Sequence, residues 1–311
     1  MMQIFRDLAE IQLAGPTILT IGTFDGLHRG HQHLIHQLKN AAQQRQAQSV
    51  VISFHPRPKT VLAPHLPNND YLTTVEERIK LFSALNIDVL ILIPFTIALS
   101  QTTAFDFMKL LADRLYLVEF WAGHDFALGK NREGNIARLT ELGHQFNYTL
   151  HQFEPFFVDE QLVSSTRVRQ ALRDGNVREA TRLLGRHPSL RSEVIQGAQR
   201  GRTIGFPTAN LLVPPERLLP ANGVYATFVE RKKTGQSYPS VTNIGVRPSF
   251  DGHEQTVETF IFDFNESIYG EMLSLEFVER LRAEKKFSGV DELVAQIKQD
   301  AEQARHLLEV S

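Results

Sequence analysis

Residues 17–31 read T-I-L-T-I-G-T-F-D-G-L-H-R-G-H, and this stretch decides how the first half of the chain folds. Residues 17–22 are an apolar run of strand length. A glycine-rich turn follows, and a helix is expected over 31–46. Strand, glycine turn and helix open an open α/β sheet, in which ligands bind at the carboxyl ends of the strands. Further out, strands are expected at 49–54, 88–93, 117–122 and 146–153. Helical patterns separate them. One runs to Leu85 behind a capping box of Thr73 and Glu76. Another carries Phe105, Met108, Leu111, Ala112 and Leu115, and a third, 136–142, is stopped by Gly143. Apolar strands alternating with helices imply a parallel sheet covered on both faces, the doubly wound α/β class. Short helices at 166–174 and 177–184, ended by Gly175 and Gly185, close this half.

The segment G-R-H-P-S at 185–189 breaks both patterns and reads as a linker. Beyond it the period becomes two. Strands are expected at 223–230, 240–246, 256–264 and 272–278, with a hairpin turn at 233–236. Many strands and few helices suggest a mostly antiparallel β-barrel. A last helix begins near Ser288, capped by Ser288 and Asp291, with Val290, Leu293, Val294, Ile297, Ala301, Ala304 and Leu308 on its apolar face. The expected domains are therefore 1–184 and 185–311.

A length of 311 residues favours two cores. Lys plus Arg number 33 against 35 Asp plus Glu, so a net charge of −2 gives no global attraction to nucleic acid or anionic membrane. Absence of cysteine excludes disulfides and thiolate sites. Arg6, Asp7 and Glu10 interrupt any secretory core, and the longest uncharged stretch, 89–105, contains Pro94 and several polar residues. A cytoplasmic protein without nucleic-acid or membrane partners is expected.

In G-T-F-D-G-L-H-R-G-H, Gly22 and Gly26 let backbone approach a phosphate, and Gly30 lets His28 and His31 face one side. The pair reads either as two surface histidines on a capped helix or as donors to a triphosphate. No third ligand is spaced for a metal. Residues 164–169, S-S-T-R-V-R, read either as a simple helix cap by Ser165 or as a phosphate clamp. Arg167 and Arg169 oppose the helix dipole unless an anion sits there. In the second half, P-T-A-N at 207–210 reads either as a local turn or as a hard-cation site built on Thr208 and Asn210. Glu258, in V-E-T-F, reads either as an edge-strand carboxylate or as a general base, facing inward or into solvent.

Together these motifs resemble the bacterial bifunctional riboflavin kinase/FMN adenylyltransferase family over almost the whole chain. The resemblance implies that His28 and His31 contact ATP phosphates, within a turn that includes Gly22, Phe24, Asp25, Gly26 and Gly30. It implies that Ser164, Ser165, Thr166, Arg167 and Arg169 close over the same phosphates. F-H-P-R-P at 54–58 matches a family stretch in which an acidic residue often stands where His55 is. G-H-D-F-A-L-G at 123–129 matches a flavin-pocket loop through Asp125 and Phe126, with Leu128 replacing an aromatic residue.

The second half matches through G-R-x-x-G-F-P-T-A-N with Gly201 and Gly205, then G-V-Y-A, N-I-G-V-R-P-S-F, V-E-T-F and L-R-A-E-K-K-F. There the resemblance implies a six-stranded barrel, Thr208 and Asn210 on Mg²⁺ and nucleotide, Glu258 as catalytic base, and Arg282 and Phe287 near the flavin. The implied activity is phosphorylation of riboflavin by ATP to FMN, then adenylylation of FMN to FAD with release of pyrophosphate. The rival readings are a nucleotidyltransferase for another phosphate substrate and a non-catalytic flavin- or nucleotide-binding regulator.

Overall fold

Val50, Val51, Ile52, Val89, Leu90 and Ile91 have no exposed surface in the computed structural model. Runs as apolar as these require helices on both faces of the sheet they form. The structure describes residues 2–65, 68–197, 201, 204–249 and 252–309. Ala198, Gln199, Arg200, Arg202 and Thr203 of the glycine loop, and Phe250 of N-I-G-V-R-P-S-F, lie outside them. Two units are formed, Met1–Ser164 and Ser165–Ser311.

The first unit runs β1 (Gln3–Phe5), β2 (Thr17–Ile21), α1 (Arg29–Gln44), β3 (Gln48–Phe54), α2 (Pro58–Leu62), α3 (Val75–Ala84), β4 (Val89–Ile93), α4 (Ile97–Ser100), α5 (Ala104–Leu115), β5 (Leu117–Gly123), α6 (Ile136–Phe146), β6 (Thr149–Phe153) and a hairpin, β7 (Phe157–Val158) with β8 (Gln161–Leu162). Its main sheet is parallel throughout, in the order β1-β4-β3-β2-β5-β6. The winding direction reverses at β2, so the turn after β2 leaves the sheet at the topological switch point. Leu34 and Ile35 of α1 and Phe82 of α3 cover one face. Met108 and Leu111 of α5 with Leu139 and Leu142 of α6 cover the other.

Four local expectations are corrected. The capping box is Thr74 with Glu77, one residue later than expected, because the Thr73 hydroxyl is bonded to Asp25 instead. Helix α6 passes through Gly143 to Phe146, and Asn147 supplies the left-handed residue that ends it, so β6 starts only at Thr149. Strand β1, mostly exposed at the sheet edge, carries no periodic apolar signal. Ser288 is bonded to Glu292 rather than to Asp291 at the start of the last helix.

The second unit begins with α7 (Ser165–Arg173) and α8 (Val177–Leu184). Strands β9 (Ser189–Ile195), β10 (Ala209–Leu211), β11 (Gly223–Arg231), β12 (Ser237–Ser249), β13 (Gly252–Ile261) and β14 (Met272–Arg282) close into a six-stranded antiparallel barrel. Helix α9 (Val290–Glu309) follows. Alternation along β11 sends Tyr225 and Val229 into the barrel core, while Val224 and Ala226 face out and pack with Ala301, Ala304 and Leu308 of α9. Inside the barrel the fully buried hydroxyls of Thr227, Ser240, Thr242 and Thr259 satisfy one another at 2.7–2.9 Å. Helices α7 and α8 pack in this unit, with Val177 buried in the barrel core cluster. Among the described residues no helix is long and apolar enough to cross a membrane.

Candidate active sites

The first candidate site grows from the end of β2. The Gly22 amide donates to the Ile52 carbonyl (3.0 Å), and the Thr23 carbonyl accepts from Ser53 Oγ (2.9 Å) and Arg78 Nη1 (3.2 Å). The chain then turns through Phe24 and Leu27, both with positive φ. His28 becomes the N-cap of α1, its Nδ1 accepting the His31 amide at 3.3 Å. That bond assigns the His28 ring proton to Nε2, which makes Nε2 the donor of this imidazole. The His28 and His31 rings stack at 3.6 Å with 21° between planes. Gly30 makes this possible, since a Cβ there would stand 3.2 Å from the His28 ring. Two imidazoles and the positive end of α1 are thus presented together, an arrangement suited to phosphate.

Two side chains of this turn are directed into the protein. Phe24 is 3% exposed and packs edge-on against His31 and Phe82, so its ring belongs to the core. Asp25 is 2% exposed and accepts from the Leu72 amide (3.0 Å), the Thr73 amide (3.0 Å) and the Thr73 hydroxyl (3.0 Å), with Arg57 Nη1 at 3.4 Å. A carboxylate used in this way braces the turn. The Gly26 amide joins the same node by donating to Thr73 Oγ1 (3.1 Å).

Beneath the turn lies a buried ionic network that the sequence reading missed. Arg57 pairs with Asp70 and lies over the Tyr71 ring at 3.9 Å. Burial opposes its charge, yet Asp70 and Asp25 outweigh burial and hold its pKa raised. Arg78, 1% exposed, has its pKa lowered by burial and donates to the Thr23 and Phe54 carbonyls. The available signal was an arginine in α3 next to Ile79 and one helical turn before Phe82.

The loop after β5 leaves Asp125 exposed, its carbonyl accepting from Arg132 Nη2 at 3.0 Å. Phe126 and Leu128 both pack against the core, Phe126 edge-on to Phe120 at 5.5 Å. Leu128, in the position of the family's aromatic residue, is therefore filling core space. In the second unit, α7 begins at Ser165, immediately after Ser164. Thr166 is exposed, Arg169 is half-buried, and Arg167 is paired with Glu179 of α8. The chain itself thus neutralises the Arg167 charge that seemed to call for an anion.

The second candidate site is a row across the barrel wall. Asn210 of β10 stands opposite Glu258 of β13, which on its other side stands opposite Asn243 of β12. Directly opposed residues share a face. Val257 and Ile244 occupy the barrel core, so Glu258, Asn210 and Asn243 lie on the outer face. The preceding loop closes when the Gly201 carbonyl accepts the Ile204 (3.2 Å) and Phe206 (2.8 Å) amides, with Gly205 left-handed at φ +85°. Phe206 meets Phe260 edge-on at 5.2 Å, beside this row, and Thr208 Oγ1 lies near Gly201.

Glu284 reaches the same row. A Cβ at Gly245 would lie 2.6 Å from Glu284 Oε1 and 3.2 Å from Asn243 Nδ2. Asn243 and Glu284 stand inside quoted motifs but were not singled out, because only register reveals their position. Arg282 has a partner within its own unit. Its guanidinium forks onto Asp300 of α9 (2.7–3.1 Å) with Phe287 5.7 Å away, so it secures α9.

Family models match both halves: FAD synthetase over residues 10–167 and riboflavin kinase over residues 184–308. A bifunctional riboflavin kinase/FMN adenylyltransferase of Haemophilus influenzae is 35% identical, covering 98% of this chain and 98% of that protein. The chain belongs to the bifunctional riboflavin kinase/FMN adenylyltransferase family. A Listeria monocytogenes member is 35% identical over 93% of this chain and 91% of its own. A solved structure from Streptococcus pneumoniae, described as a macrolide-efflux protein, superposes with a TM-score of 0.88 at 34% identity, covering 97% of this chain and 98% of that one.

Kinase and adenylyltransferase chemistry on ATP, as in this family, implies a divalent metal. Among the described residues no group of three or more His, Asp or Glu side chains could hold one. A hydroxyl and an amide oxygen from Thr208 and Asn210 fit a hard cation that brings phosphate oxygens with it.

Proposed function

We propose that the chain converts riboflavin to FMN on its barrel and FMN to FAD on its parallel-sheet unit, using ATP in both reactions. The observation that carries this reading is that each unit gathers its own polar groups on one face. These are the stacked His28–His31 pair at a helix N-terminus and the Asn210–Glu258–Asn243 row.

In the first reaction, the riboflavin 5′-hydroxyl attacks the γ-phosphorus of ATP, and Glu258 accepts the hydroxyl proton. Thr208 and Asn210 hold Mg²⁺, which when bound neutralises charge on the nucleotide phosphates. In the second, a phosphate oxygen of FMN attacks the α-phosphorus of ATP and pyrophosphate leaves. The attacking oxygen is already anionic, so no protein nucleophile is required. His28 Nε2–H, His31, the amides at the start of α1 and the Ser164 hydroxyl stabilise the charge that develops. Asp125 and Phe126 contribute to flavin binding. The functional boundary lies at 184/185, and the protein works in the cytoplasm, a setting consistent with its cysteine-free sequence.

The test is to incubate the purified chain with riboflavin, ATP and Mg²⁺ and to separate the flavins. FMN followed by FAD is expected. FMN alone would leave the adenylylation reading without support, and neither product would favour a non-catalytic binder. Replacing Mg²⁺ with Mn²⁺ or Ca²⁺ in the same assay tests the choice of ion.

A further inference from the structure

The polar row on the barrel wall has a direction. Asn210 stands at one end, Glu258 in the middle and Asn243 at the other end. In the kinase reading Asn210 and Thr208 serve the metal and the nucleotide, so the γ-phosphorus lies on the Asn210 side of Glu258. In-line displacement keeps the attacking and leaving oxygens on opposite sides of that phosphorus. The acceptor hydroxyl at Glu258 therefore carries the rest of its molecule away over Asn243, one strand spacing of roughly 4.8 Å further on. Glu284 stands on that path. Asn222 Nδ2 donates to its Oε2 (3.1 Å), which leaves Oε1 beside Gly245 and Asn243. Gly245 is two positions from Asn243 on β12 and shares its outer face. A Cβ at Gly245 would come within 2.6 Å of Oε1, so the glycine is what lets this carboxylate lie against the strand. Arg282 and Lys285 of the same segment pair with Asp300 and Glu292 instead.

We infer that Glu284 is a specificity residue for the phosphoryl acceptor: with Asn243 it receives the secondary hydroxyls of the polyol chain that ends in the reacting 5′-hydroxyl. The inference rests on the kinase reading of the row and deepens it. A carboxylate only accepts hydrogen bonds, a carboxamide donates and accepts, and each secondary hydroxyl also does both, so the pair matches a polyol in kind. A bond from a hydroxyl to an ionised acceptor is the stronger sort. Asn222 is then a positioning residue, which holds Oε2 and aims Oε1 at the acceptor. An acceptor without those hydroxyls leaves the polar groups of the site unmatched, and a site built to bond hydroxyls rejects such an analogue.

The experiment uses the full chain and measures kcat and KM for phosphorylation of riboflavin and of a flavin whose side chain is a plain 5-hydroxypentyl group, with the KM for ATP alongside. Glu284 is exposed, so Glu284→Ala is expected to leave the melting temperature unchanged. With riboflavin it should lower kcat/KM by about ten- to a hundredfold, the factor carried by a hydrogen bond to a charged group. The loss should fall on the KM for riboflavin and spare the KM for ATP. With the hydroxypentyl flavin, already a poor acceptor for the unaltered chain, the same substitution should make no further difference. Glu284→Gln keeps one acceptor oxygen and should recover part of the loss. Asn222→Ala should show a smaller loss, confined to riboflavin. Equal losses with both flavins, a raised KM for ATP, or no loss with riboflavin overturns the inference. If the unaltered chain phosphorylates riboflavin and Glu258→Gln does not, the kinase reading stands whatever Glu284→Ala does. If the unaltered chain phosphorylates neither flavin, that reading fails and takes the inference with it.

Discussion

Glu258 stands directly across from Asn210 on the outer wall of the barrel, although 48 positions separate them in the chain. Asn243 stands on the other side of Glu258, which makes this carboxylate the centre of a polar row otherwise contributed by amides. Glu258→Gln keeps the shape and removes the proton acceptor. Riboflavin phosphorylation should fall by about a hundred- to ten-thousandfold, the usual contribution of a general base. FAD formation from supplied FMN should persist. Separation of flavin products from the two assays checks both outcomes.

His28 has two duties, and two substitutions divide them. His28→Ala removes both the ring and the N-cap, so FAD formation should fall by roughly ten- to a thousandfold and α1 should lose about 0.5–2 kcal/mol. His28→Asn keeps a side-chain acceptor for the His31 amide. It should restore stability but not FAD formation, as thermal unfolding and product assays would show.

Asp25 predicts a stability effect confined to one unit. Asp25→Ala strands Arg57, itself 6% exposed, with only Asp70 as counter-ion, and strips acceptors from the Leu72 and Thr73 amides. Removing one partner of a buried ion pair costs about 3–5 kcal/mol. Denaturant unfolding should show an early transition for the parallel-sheet unit, and riboflavin phosphorylation should survive it.

Acid should loosen the barrel unit. Bonds from Arg305 to Asp263 and from Arg231 to Glu271 hold both carboxyl pKa values below the ordinary range. A lowered folded pKa means that the contribution is complete above the unfolded pKa and disappears as pH falls through the folded one. Barrel stability should therefore decline below about pH 4. Melting temperatures from pH 6 to pH 3 check this, and Glu271→Gln should flatten the profile.

Strand and helix order was legible because its signals are local. The run at 17–22, the glycine turn and the apolar period of α5 each occupy few residues. Errors arose where a side chain took a distant partner. Thr73 was read as a cap because T-x-x-E is a capping pattern, but Asp25 occupies its hydroxyl. The bond from Arg282 to Asp300, 18 positions on, likewise has no local signal. The buried Arg57 and Arg78 were invisible because charge in a sequence ordinarily marks exposed surface.

The order of amino acids was enough to establish two differently patterned halves, the motif at each, and the family to which both point, since periodicity and motif spacing are properties of neighbouring residues. Folding alone settled the outward face of Glu258, the inward turn of Asp25, and the attachment of α7 to the barrel unit. Each depends on cross-strand register, burial or ion pairing, interactions that join residues tens to more than a hundred positions apart and leave no periodic trace along the chain.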